Sequence, residues 1–107
     1  SAEKGKKVAN LCKACHTFTQ GGKNKIGPAL WGIVDRNMGG GGGFKYSSGM
    51  MKMKAKWGYE ELNKFLVKPR KYVKGTKMAF IGIKKVKDRA NLIAYLRSLS
   101  ASPKPLP

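Results

Sequence analysis

Both cysteines and the only histidine of this chain fall within one short run, Cys12-Lys13-Ala14-Cys15-His16, and that clustering limits what the chain can fold around. A redox dithiol of the thioredoxin kind follows a strand in a βαβ unit, and no such pattern precedes Cys12. A structural zinc ion needs four ligands; beyond these side chains the sequence holds Asp+Glu 5, of which only Glu3 is close. A disulfide is geometrically awkward at this spacing. The use that fits is covalent attachment of a c-type haem, in which the thiols add to the porphyrin vinyl groups and the adjacent imidazole reaches the iron. On the last turn of a helix, two cysteines three residues apart share one face, and the next residue can point over the ring. Cys12 and Cys15 are therefore the expected anchors and His16 the expected proximal axial ligand.

Composition supports an internal cofactor. A chain of 107 residues is expected to form a single domain over 1–107, whose folding buries a modest share of its surface. Yet it contains Gly 14 and Lys+Arg 23, and it lacks the long apolar runs of a sheet core. A haem would act as a large apolar body on which short helices and loops condense.

No charged-then-apolar leader opens the sequence, and no stretch approaches the roughly 18 apolar residues of a membrane span, so a mature soluble protein is expected. Residues Glu3 to Ala14 read as a helix: Glu3 lies near the positive end of the dipole, and Val8, Leu11, Cys12 and Cys15 recur at helical spacing. Gly21-Gly22 and Gly27-Pro28 mark an irregular loop, followed by an apolar cluster from Leu30 to Val34. The run Gly39 to Gly43 reads as a mobile surface loop, without the lysine and hydroxyl residue of a phosphate-binding loop. Ser47 to Lys54, with Met50, Met51 and Met53, is a short helix candidate. A clearer helix opens at Trp57 to Glu61 with Glu60 and Glu61 in its first turn and Leu62, Phe65 and Leu66 on one face. It ends near Val67 or Lys68, because the residue before Pro69 is pushed out of the helical region. In the last helix Asp88 is a cap or first-turn acid, and Leu92, Ile93, Leu96 and Leu99 repeat. The Pro-rich tail, 102–107, is expected to fray.

After Cys-x-x-Cys-His the chain carries Ile26-Gly27-Pro28-x-Leu30-Trp31-Gly32, then Tyr46-Ser47, then Trp57. There follow Lys68-Pro69-Arg70-Lys71-Tyr72-Val73-Lys74-Gly75-Thr76-Lys77-Met78-Ala79-Phe80 and Leu92-Ile93-Ala94-Tyr95-Leu96. In this order the motifs resemble class I cytochrome c of the mitochondrial and α-proteobacterial type, over nearly the whole chain. The resemblance implies an all-α cytochrome c fold, three main helices plus short helices and loops wrapped around one covalently bound haem c. It implies Met78 as the distal ligand and the Pro28 carbonyl as acceptor for the second ring nitrogen of His16. Arg36, Tyr46, Ser47 and Trp57 match positions around the haem propionates, and Thr76 and Phe80 match the distal loop. Lys23, Lys25, Arg70, Lys71, Lys77, Lys84 and Lys85 match a basic docking ring. There are departures: Phe65 and Met50 replace polar residues common beside the distal sulfur, and Met50 adds a rival thioether. Lys74 replaces a common proline, and Leu11 replaces a lysine of the ring.

Protein ligands on both faces of the iron leave no place for substrate or gas, so one-electron transfer is expected, not catalysis; a soft thioether and an apolar pocket favour ferrous iron. A formal charge of +18 predicts acidic partners, met quickly through a small, wet interface. The resemblance implies the cytochrome bc complex as donor and cytochrome c oxidase as acceptor, and a periplasmic dehydrogenase or a photosynthetic reaction centre is equally compatible. Lysines spread over every segment argue against nucleic acid, whereas peripheral contact with an anionic membrane follows from the same charge. A monomer in the periplasm is expected, because bacteria attach haem to thiols outside the cytoplasmic membrane; the mitochondrial intermembrane space is the alternative. The alternative activity is a haem enzyme or gas sensor with a labile distal methionine, displaced at high pH by Lys74 or Lys77.

Overall fold

In a computed structural model that describes residues 1–105, the chain forms short α-helices joined by long loops. Residues 106 and 107, the end of the tail expected to fray, lie outside the described residues. Helix α1 (Ala2–Val8) is capped by Ser1, whose hydroxyl accepts from the Lys4 amide at 3.2 Å, and carries Glu3 in its first turn. It ends earlier than the Glu3–Ala14 pattern predicts. Ala9–Leu11 forms a 3₁₀ turn, closed by the Cys12 amide on the Ala9 carbonyl at 2.9 Å. Val8 and Asn10 are weak helix formers, and i→i+3 bonds tighten a helix end. The cysteines therefore lie in the turn that follows, where the Cys15 and His16 amides both donate to the Cys12 carbonyl at 3.1 and 3.0 Å.

Ser47 caps α2 (Ser48–Lys52), its hydroxyl accepting from the Met50 amide at 3.2 Å. Helix α3 (Tyr59–Val67) carries Glu60 and Glu61 in its first turn and buries Leu62, Phe65 and Leu66, as their spacing predicts. It stops at Lys68, whose extended backbone precedes Pro69, the first residue of α4 (Pro69–Tyr72). In α5 (Val86–Ser98), Asp88 sits in the first turn and not at the cap, and Leu99 closes the helix.

Helix α1 packs on α5, and α3 rests on α5 as well. The first contact depends on Gly5: a Cβ there would sit 1.8 Å from the Asn91 carbonyl oxygen and 2.8 Å from the Tyr95 Cβ. The core gathers Ala9, Ile33, Trp57 and the inward faces of α3 and α5. Among the described residues, the one strand-like pairing outside the helices is an isolated antiparallel bridge between Asn37 and Lys56.

Two segments are firmer than their composition suggests. In the glycine run, the Gly40 amide donates to the Asn37 carbonyl at 2.9 Å and the Gly41 amide to the Tyr46 hydroxyl at 2.8 Å. The Asn24 side-chain amide donates to the Gly42 carbonyl at 3.0 Å. The tail is docked through Lys104 and Pro105, whose carbonyls lie 3.1 Å from the Tyr59 hydroxyl. Arg97 also donates to the Lys104 carbonyl, and the Lys104 ammonium pairs with Asp35 at 2.9 Å above the Tyr59 ring. Glycine and proline content reports a weak local preference; these partners are distant in sequence. In denaturant unfolding of the haem-loaded protein, Gly5→Ala is expected to lower stability by about 1–3 kcal/mol or more, since α1 must move off α5. Tyr59→Phe is expected to lose about 1 kcal/mol and to speed amide exchange in the tail.

Candidate haem site

A cavity of about 290 Å³ opens through this core. The turn after α1 places Cys12, Cys15 and His16 on its wall. His16 is 9% exposed, and its Nδ1–H donates to the Pro28 carbonyl at 2.7 Å, which leaves the free lone pair on Nε2. Gly27 lets the loop lie against the imidazole: a Cβ there would come within 2.3 Å of Cε1 and 2.7 Å of Nδ1. The Gly27 amide ties loop to turn by donating to the Cys15 carbonyl at 2.7 Å. Burial holds His16 below its ordinary pKa, the Pro28 carbonyl opposes this, and the Lys25 charge adds to the lowering. The imidazole is thus neutral at pH 7, the form that can bind a metal. Burial also pushes the Cys12 thiol up, with Cys15 adding to the shift, and no disulfide joins the two.

The remaining wall is mostly apolar. Helices α3 and α5 contribute Leu62, Phe65, Leu66, Leu92 and Leu96, and Trp57 meets Phe65 edge-on at 4.9 Å. The segment after α4 brings in Thr76, Met78 and Phe80, with the Met78 amide donating to the Thr76 hydroxyl at 3.3 Å. Tyr46, Ser47 and Met50 complete it, so every expected haem-contacting residue but one borders a single cavity. The exception is Arg36. Its guanidinium donates to the carbonyls of Ala29, at 2.9 Å, and Trp31, and it borders a separate open polar cleft with Lys23, Asn24 and Gly40 to Gly42. Those two bonds use one N–H on each terminal nitrogen and hold the guanidinium beside the Ala29–Trp31 loop. Phe18, Leu30, Ile33 and Phe44 also line the cavity. The apolar cluster marks Leu30 and Ile33 in the sequence, whereas nothing local marks Phe18 or Phe44 as facing inward.

Lys23, Lys25, Arg70, Lys71, Lys77, Lys84 and Lys85 are all exposed. Lys77 borders the cavity and its ammonium donates to the Lys45 carbonyl at 3.1 Å. The Lys25 ammonium donates to the carbonyl of Lys13, between the two cysteines, at 2.9 Å. Arg70 and Lys71 lie on α4, and Lys84 and Lys85 immediately precede α5. Leu11 and Ile26, 62% and 76% exposed, add apolar surface at the cavity.

Two thiols, a neutral imidazole and two thioethers, those of Met50 and Met78, on one apolar cavity are a donor set that suits a covalently attached haem. Among the described residues, no group of three or more His, Cys, Asp or Glu offers a different metal site. The fold and site together define an all-α haem-binding domain of the c type. The Cytochrome c family model matches residues 2–100. The chain is 48% identical over 108 residues to a cytochrome c homolog of Bradyrhizobium diazoefficiens, covering 100% of this chain and 59% of that longer protein. It is 45% identical over 105 residues to cytochrome c2 of Agrobacterium tumefaciens, covering 95% and 94% of the two chains. The structure of cytochrome cH from Methylobacterium extorquens matches with a TM-score of 0.86 at 39% identity, over 92% of this chain and 98% of that one. The chain belongs to the cytochrome c family: its cofactor is a c-type haem bound through Cys12 and Cys15, and it carries electrons and is not an enzyme.

Gly27→Ala is expected to break the contact between His16 and Pro28. In nuclear magnetic resonance of the reduced protein, the ring N–H of His16 should then lose its exchange protection by about tenfold or more.

Proposed function

We propose that the chain is a one-electron carrier whose iron is ligated by His16 and Met78, working between respiratory-chain donors and a terminal oxidase. The ligation is supported by the shared cavity, bordered by the Pro28-anchored neutral imidazole and by the thioethers of Met78 and Met50, and the match of Thr76-Lys77-Met78 to the distal loop of the family favours Met78. A haem held there supplies an iron that gains and loses one electron. Cys12 and Cys15 fix its edge, and the Pro28 carbonyl sets the tautomer of His16 and raises its basicity. The Met78 sulfur and the apolar wall of α3 and α5 favour the reduced state by disfavouring extra positive charge. Tyr46 and Ser47 accept from the Gly41 and Met50 amides, so each hydroxyl keeps its own proton for a haem carboxylate. Trp57 and Phe80 close the wall, Thr76 steadies the Met78 amide, and Arg36 acts at one remove by holding the Ala29–Trp31 loop.

The partners follow from charge. At a formal +18, with the seven basic residues named above all exposed, the chain suits acidic surfaces on the cytochrome bc complex and cytochrome c oxidase, or on a periplasmic dehydrogenase. Anionic membrane is a peripheral contact of the same kind. No described helix is long and apolar enough to cross a membrane. A periplasmic location is supported by the bacterial relatives and by the attachment chemistry, which takes place outside the cytoplasmic membrane.

Absorption spectra test the ligation. The oxidised protein should display a weak red-edge sulfur-to-iron band, and the reduced protein should ignore carbon monoxide. Met78→Ala should lose the band and bind carbon monoxide readily; rapid binding by the unmutated protein would favour a gas-sensing role instead. Electron transfer to an acidic partner should slow by about tenfold or more between low and physiological ionic strength, because screening removes the steering.

A further inference from the structure

Arg89 is the least expected side chain of the core. It is 7% exposed, yet the ion pairs among the described residues are Lys64–Glu60 and Lys104–Asp35, and neither involves it. Neutral oxygens satisfy it instead. Its Nε donates to the Asn63 side-chain oxygen at 2.7 Å, and its Nη1 donates to the carbonyls of Ile83 and Lys84, each at 2.8 Å. A buried guanidinium without a counter-charge is tolerable only when its donors are occupied in this way.

Those acceptors lie at the end of the segment that bears Met78. Among the described residues, no backbone-to-backbone hydrogen bond is made between Thr76 and Ile83. The polar ties within it are the Met78 amide on the Thr76 hydroxyl and the Lys77 ammonium on the Lys45 carbonyl. The position of the Met78 sulfur therefore depends on the two anchors of the segment. At the first, Val73 is 1% exposed and its amide donates to the Pro69 carbonyl at 2.9 Å. At the second, the Ile83 amide donates to the Leu66 carbonyl at 2.7 Å while Arg89 grips the Ile83 carbonyl. Ile83 is thus held at both its polar backbone atoms.

We infer that Arg89 is a positioning residue for the distal ligand: by joining Asn63 on α3 to Ile83 and Lys84 from α5, it keeps the Met78 segment closed over the cavity. The inference rests on the Met78 ligation proposed above and adds what maintains it. Local opening of such a segment can occur while the helices stay folded, so its effect separates from global stability.

The test uses the haem-loaded variants Arg89→Met, Arg89→Lys and Asn63→Leu, with Leu99→Ala as a buried control outside the cavity wall and the segment. Three quantities are measured: the affinity of the oxidised form for imidazole, the exchange rate of the Ile83 amide, and the denaturation midpoint. Arg89→Met should bind imidazole about tenfold or more tighter and speed Ile83 exchange, because a charge-assisted grip on the segment is lost. Arg89→Lys, which can reach one carbonyl, should restore part of the closure, and Asn63→Leu should shift both readouts less in the same direction. Leu99→Ala should lose global stability without tightening imidazole binding. Unchanged imidazole affinity in the Arg89 and Asn63 variants would overturn the inference, as would an equal tightening in Leu99→Ala at matched stability. If Arg89→Met does not fold, Arg89→Lys and Asn63→Leu decide the matter alone. A missing sulfur-to-iron band in the unmutated protein would overturn the ligation and this inference with it; a normal band with unmoved variants would overturn the inference alone.

Discussion

The hollow in the core is the constraint from which the rest of the structure follows. Protein interiors are packed as densely as organic crystals, and an apolar lining gains dispersion contacts from whatever fills the space it borders. Here Trp57, Leu62, Phe65, Leu66, Leu92 and Leu96 border a space of about 290 Å³ in addition to packing against one another. A covalently held haem would supply the apolar body against which that lining packs. Helices of 7, 9 and 13 residues are marginal alone, and they gain their stability by condensing on one another and on the cofactor.

A hollow lined with apolar groups also dictates where polar groups go. Among the described residues, no buried side-chain nitrogen or oxygen lacks a partner. At the cavity wall, His16, Tyr46, Ser47 and Thr76 each use one polar atom on the backbone. This fixes their orientation, while the imidazole and hydroxyls retain a second hydrogen-bonding or ligating function. Positive charge is kept almost entirely outside, where it can act on partners at long range. Arg89 is buried and Arg36 half-buried, and both bind carbonyls that shape loops beside the cavity.

Features written in local chemistry could be read directly from the residues. The cysteine pair with its histidine marks the attachment point, and the leucine and phenylalanine spacing in α3 and α5 marks the faces that turn inward. The first helix was legible in position but not in length, because the apolar spacing of Val8, Leu11, Cys12 and Cys15 does not distinguish an α-helix from an α-helix that tightens into a 3₁₀ turn. Composition misleads most for the glycine run and the tail. Both look free, yet Asn24 and Tyr46 hold the first, while Tyr59, Arg97 and Asp35 hold the second.

The sequence by itself determined the cofactor, its anchors, and where the three longer helices lie, because covalent chemistry and helical periodicity act between residues a few positions apart. Only the tertiary structure decided that Phe18 and Phe44 share a wall with Met78, that Arg36 binds the carbonyls of Ala29 and Trp31, and that Arg89 ties α5 to the end of the Met78 segment. Those outcomes depend on which distant backbone oxygen comes within about 3 Å of a donor, and that distance is set by the packing of whole elements, not by any neighbouring residue.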